Sequence, residues 1–198
     1  MNYLALGDSY TIGEGVPIFD SFPYQTVQRL RSAGHAIEAP EIVAKIGWTT
    51  DELMNGIKNQ QLLNTYSFVS VLIGVNNQYR GRDPQEYSKQ FQLILELSIN
   101  KAGNRPERVV VLSIPDWGCT PFAEGRDRNK ISAEIDLFNS INQLGAIQYG
   151  VHYIEITKES RACLNDRTLV AADGLHPSGK EYAKWADQLS GAVVRHFK

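Results

Sequence analysis

A serine hydroxyl attacks a carbonyl efficiently only when a base takes its proton and a third group holds that base in place. In this chain of 198 residues, Ser9 lies between Gly7 and Gly13 in the segment Gly7-Asp8-Ser9-Tyr10-Thr11-Ile12-Gly13-Glu14-Gly15. Of the four histidines, His176 follows Asp173 by three residues in Asp173-Gly174-Leu175-His176-Pro177. In a compact turn that spacing places a carboxylate and an imidazole on the same side. Ser9, His176 and Asp173 are thus a candidate nucleophile, base and orienting acid, in the chain order Ser…Asp…His. Acyl transfer also needs donors aimed at the developing oxyanion. The candidates are the N–H of Ser9, the N–H of Gly47 in Ile46-Gly47-Trp48-Thr49, and the side-chain amide of Asn76 in Gly74-Val75-Asn76-Asn77. Glycine lets backbone approach a substrate closely, and asparagine offers a neutral NH₂.

Taken singly, each residue has a plainer reading. A loop serine caps helices, an aspartate before glycine forms turns, and asparagine is a common loop residue. What raises the pattern above this is where the surrounding elements put it. Strand-like apolar runs at 3–6, 36–46, 67–73, 108–114 and 151–156 alternate with helical patterns at 22–33, 49–63, 84–100 and 129–149. A last helix follows Ser178-Gly179-Lys180-Glu181, which reads as a capping box, with Tyr182, Trp185, Ala186, Leu189 and Val193 at helical spacing. This alternation predicts an α/β fold: a five-stranded parallel sheet covered on both faces, in one domain spanning 1–198 without repeats or linkers. Ligands of such sheets gather at the carboxyl ends of the strands. All four glycine-bearing loops fall at that edge. Of the histidines, His35 and His152 fall at the opposite edge and His196 at the C-terminus, which leaves His176 as the base.

GDSY at 7–10, Gly47, GVNN at 74–77 and DGLHPS at 173–178 resemble the four blocks of the SGNH hydrolases, also called the GDSL esterase/lipase family. They occur in the family's order and span residues 4 to 178. The resemblance implies a flavodoxin-like three-layer α/β/α sandwich and hydrolysis of a carboxylic ester through an acyl-Ser9 intermediate. It implies that His176 is the general base with Asp173 as its partner, and that Ser9, Gly47 and Asn76 are the oxyanion donors. No HxxxH, HExxH or His-Asp cluster is visible, so neither metal nor cofactor is expected. The expected substrate is a small-molecule ester of the lysophospholipase or carboxylesterase type, with an acetyl-carbohydrate ester or a thioester as the alternative. Tyr10 stands where the family's name has leucine, which alters the local pocket. Asp8 is expected to bond to loop backbone and hold the serine turn.

Trp48, Tyr79, Trp117 and Phe122 fall on the strand-end loops and are candidates to line an acyl or aryl pocket. Arg80 and Arg82 follow the Asn76 loop and are candidates to recognise a phosphate or carboxylate on the substrate. A net charge of −2 argues against nucleic-acid binding by bulk charge. A flavin- or phosphate-binding protein is the rival from another class, but the first loop carries Asp8 and Glu14, which repel phosphate, and lacks the Gly-Lys-Ser/Thr of a Walker loop. Cys119 and Cys163 form neither a disulfide scaffold nor a CxxC motif. No apolar run is long enough for a membrane span. The N-terminus lacks a basic, then apolar, leader, so a cytoplasmic location is expected, with export after leader removal as the alternative. A chain of this length should expose about 9,400 Å² when folded.

Overall fold

The apolar runs at 3–7, 68–72 and 109–112 are buried at every position, as strands covered on both faces must be. The computed structural model describes residues 1–196. In chain order its elements are β1 (Tyr3–Gly7), α1 (Ser9–Ile12), α2 (Phe22–Ser32), β2 (Glu41–Ala44), α3 (Thr50–Asn59), β3 (Phe68–Leu72), α4 (Val75–Tyr79), α5 (Pro84–Lys101), β4 (Val109–Leu112), α6 (Arg128–Tyr149), β5 (His152–Ile154), α7 (Thr157–Ser160) and α8 (Gly179–His196). The strands form one parallel sheet in the order β2-β1-β3-β4-β5, the flavodoxin-like arrangement. The register aligns Val43, Leu6, Val71, Val111 and Tyr153 across the sheet.

Helices α2 and α8 pack together on one face, and α3, α5 and α6 pack in series on the other. The apolar spacing of α8 explains its seat: Tyr182, Trp185, Ala186 and Leu189 are fully buried, and the Trp185 ring centre lies 6.0 Å from that of Phe22 on α2. Each such large side chain contributes roughly 1.5–3 kcal/mol by leaving water. The accessible surface, 8944 Å², is close to the value expected from length alone. No helix among the described residues is long and apolar enough to cross a membrane. Cys119 and Cys163 are free thiols buried in a small cluster with Leu169.

The differences from the sequence reading have local causes. The second strand is Glu41–Ala44 rather than 36–46, because Pro40 has no N–H to donate to a ladder. The fifth stops at Ile154 because the N–H groups of Ile156 and Thr157 turn to Ser113 Oγ, at 2.8 and 3.1 Å. The Ser178 box is half closed. Glu181 N–H reaches Ser178 Oγ at 3.4 Å, but the Glu181 carboxylate is taken by Lys184 and Trp185 Nε1, and Ser178 N–H is taken by Leu169 O. The reciprocal bond forms instead at α3, where Thr49 N–H donates to Glu52 Oε2 at 2.8 Å.

Two segments expected as loops, α1 and α4, are single helical turns. They follow β1 and β3, the neighbouring strands from which the chain departs in opposite directions along the sheet. The crevice that opens at such a reversal is where ligands of this architecture bind.

Candidate active site

The end of β1 delivers Ser9 at the first position of α1, 6% exposed. Asp8 caps that turn, its Oδ1 accepting the Tyr10 N–H at 3.0 Å. The Asp8 carboxyl is wholly buried, and burial pushes its pKa up to about 7 against the opposing pull of the Tyr10 amide. The Ser9 N–H, first in the turn, has no acceptor within the helix.

His176 sits on the loop between residue 169 and α8. Backbone bonds from Ala171 N–H to His176 O, 2.8 Å, and from Ser178 N–H to Leu169 O, 2.9 Å, close that loop into a clasp. Within it Asp173 Oδ1 accepts the N–H groups of Leu175 and His176, at 2.9 and 3.0 Å. Its Oδ2 lies 2.6 Å from His176 Nδ1, and His176 Nε2 lies 3.0 Å from Ser9 Oγ. Partial burial raises the Asp173 pKa, but the two backbone N–H groups and the imidazole outweigh it and hold it below the ordinary value. An ionised carboxylate only accepts hydrogen bonds, so Nδ1 carries the imidazole proton and Nε2 is free to accept one from Ser9. The Tyr10 ring meets the imidazole edge-on, centres 5.5 Å apart, and shields one side of it.

The opposite wall comes from α4 and the turn before α3. Gly74 starts α4 at φ +130°, and a Cβ there would collide with the Tyr87 hydroxyl and lie 2.7 Å from Ile114 Cδ1, so only glycine fits. Asn76 Nδ2 donates to Trp48 O at 3.0 Å. That bond uses one of its two N–H groups and leaves the other for the pocket. Gly47, at φ +79°, shapes the facing turn. Asn77 ties the two segments through Thr50, accepting its N–H at 3.1 Å and donating to its Oγ1 at 2.8 Å.

Ser9, Asn76 and His176 line a pocket of about 170 Å³. Its apolar lining is Tyr10, Val75 and Leu175 with the mutually packed ring group Tyr79, Trp117 and Phe122. Trp117 is fixed by its Nε1 donating to Gln78 Oε1 at 2.8 Å. Of the six side chains expected at the substrate, Tyr79, Trp117 and Phe122 line this pocket, and Trp48, Arg80 and Arg82 do not. The Trp48 indole packs against Gly56 of α3, where a Cβ would overlap the ring, because a glycine on that helix face leaves room for a large apolar side chain. Arg80 turns back to donate to Gly47 O at 2.6 Å and pairs with Glu52 at 3.4 Å, so it braces the Gly47 turn. Arg126, which stands over the aromatic rings, carries no motif in the sequence, and Asn77 lies in the GVNN block without a role implied there. Only their positions in space mark them.

The model of the GDSL-like lipase/acylhydrolase family matches residues 5–184. No curated protein sequence matches the chain. Solved structures share its architecture end to end. A lipase/acylhydrolase from Enterococcus faecalis is 19% identical with a TM-score of 0.73, covering 98% of this chain and 95% of that one. An acetyl xylan esterase is 17% identical with a TM-score of 0.77, covering 98% and 100%. An acetylxylan esterase from Geobacillus stearothermophilus is 17% identical with a TM-score of 0.74, covering 99% and 95%. At such identities the likeness is one of fold, and the family assignment comes from the match along the sequence. With that match covering both the Ser9 and the His176 loops, the chain belongs to the GDSL-like lipase/acylhydrolase family and is an ester-hydrolysing enzyme.

Proposed function

We propose that the protein hydrolyses short-chain carboxylic esters through an acyl-Ser9 intermediate. The observation that carries this reading is the relay Asp173–His176–Ser9, at 2.6 and 3.0 Å, opening on a small apolar pocket. His176 Nε2 takes the Ser9 proton as Oγ attacks the ester carbonyl. The charge that forms on the carbonyl oxygen is met by the N–H groups of Ser9 and Gly47 and by the free N–H of Asn76 Nδ2. His176 then gives its proton to the departing alcohol, and the acyl group remains on Ser9. A water molecule, deprotonated by the same imidazole, releases the acid and restores the serine. Asp173 keeps the imidazole in the needed tautomer and stabilises its transient positive charge.

Pocket size supports a short acyl group. About 170 Å³ is well under the roughly 300–1,000 Å³ of pockets that enclose drug-sized ligands. A second reading is an acetyl ester on a sugar. The exposed rings of Tyr79 and Phe122 give the pocket an apolar surface on which a sugar can pack, and two of the structural neighbours are named as acetyl xylan esterases.

The test is hydrolysis of a p-nitrophenyl ester series, acetate to palmitate, by wild type and Ser9→Ala. Release that depends on Ser9 and peaks at short chains is expected. Equal release by Ser9→Ala would refute the acyl-serine route, and a palmitate optimum would refute the short-acyl assignment. Acetylated xylo-oligosaccharides in the same assay decide the second reading.

A further inference from the structure

Arg126 is exposed, yet its guanidinium carbon lies 5.5, 5.4 and 5.0 Å from the ring centres of Tyr79, Trp117 and Phe122. These rings line the pocket that holds Ser9. Three simultaneous cation–π contacts hold the group over the rings with no carboxylate bonded to it. Among the described residues Arg126 makes no ion pair. The two carboxylates that share the adjoining hollow are occupied: Asp127 caps α6 by accepting the Lys130 N–H at 3.0 Å, and Glu134 is held by Gln78 at 2.7 Å and by Lys130 at 3.9 Å. The polar contact the Arg126 side chain does make is a long one, Nη2 to the Tyr79 hydroxyl at 3.5 Å. A guanidinium presents a rigid fork of donors matched to carboxylate and phosphate oxygens. Arg80, by contrast, has its donors committed to Gly47 and Glu52.

We infer that Arg126 is a specificity-determining residue that binds an anionic group, a carboxylate or a phosphate, carried by the substrate away from its scissile ester. The inference rests on the esterase reading of Ser9. The rings position the guanidinium at the pocket rim, and the substrate's anion supplies the counter-charge that the protein itself does not.

The test uses two substrate pairs. In the first, the p-nitrophenyl half-ester of glutaric acid is set against p-nitrophenyl valerate, which puts the anion on the acyl side. In the second, acetylglycerol phosphate is set against acetylglycerol, which puts it on the alcohol side. The readout is the ratio of kcat/KM, anionic over neutral, for wild type, Arg126→Gln and Arg126→Glu at low and high salt. Wild type should favour the anionic member of one pair, and which pair responds identifies the side. Arg126→Gln should lower that ratio about tenfold or more, and Arg126→Glu further. High salt should erode the ratio in wild type more than in Arg126→Gln. Ratios unchanged by both substitutions in both pairs would overturn the inference and leave Arg126 a packing residue over the rings. Loss of Ser9-dependent turnover on the neutral members would instead refute the esterase reading, and this inference with it.

Discussion

Replacing Asp8 by Asn should stabilise the protein, and the gain should depend on pH with a definite sign. Asp8 is fully buried, and its Oδ2 finds no hydrogen-bond partner in the structure. Burial raises its pKa from 3.8 to about 7. Between these values the unfolded chain has lost the proton that the folded chain still holds. The folded state then binds more protons, so stability falls as pH rises through this window. The gap is worth roughly 4 kcal/mol in full, at about 1.36 kcal/mol per pH unit. For a chain of this size that corresponds to about 10 °C in Tm. Asn keeps the cap, since its Oδ1 can accept the Tyr10 N–H as Asp8 does, and it removes the charge. The assay is thermal unfolding of wild type and Asp8→Asn from pH 4 to 8. The two should melt together near pH 4 and separate progressively towards pH 8, with the variant the more stable. A variant that melts at or below wild type at pH 8, with a parallel pH dependence, would refute the reasoning. It would show that Asp8 is ionised and satisfied in the folded protein.

Asn76→Ala should lower kcat by about 10² to 10³ with little change in KM, since in the proposed mechanism its N–H meets charge that forms only in the transition state; steady-state kinetics on a short p-nitrophenyl ester checks it. Arg80→Gln releases the Gly47 carbonyl and its pairing with Glu52, and should lower kcat roughly tenfold on neutral esters through looser placement of one donor; equal loss on every acyl length distinguishes this from a substrate contact. Gly74→Ala, which sets a methyl group against Tyr87 and Ile114 at φ +130°, should destabilise by about 1–3 kcal/mol or more, read as a lower midpoint in urea.

Much of the architecture was legible because its signals are local or periodic. The three inner strands are apolar runs interrupted only by Ser70, and the buried face of α8 is spelled by Tyr182, Trp185 and Leu189. The edge elements were less legible. Pro40 trims β2 by a missing donor and the Ser113 hydroxyl trims β5 by accepting two N–H groups, and no periodicity encodes either. The turns α1 and α4 are too short to show a helical pattern, so they read as loops.

For the site, the sequence by itself determined which residue types stand at the carboxyl edge of the sheet: Ser9, Gly47, Asn76, Asp173 and His176. Spacing could do this because each lies within a few residues of an element whose direction is set by the parallel topology. Separation in space was decided only by the fold, since Ser9 and His176 are 167 positions apart and meet at 3.0 Å. The long side chains were decided there too. Trp48 went to the bare surface of Gly56, Arg80 to the carbonyl of Gly47, and Arg126 to the rings above the pocket. A side chain of that reach has several partners open to it from any one backbone position. Which one it takes depends on the room and charge that distant segments leave.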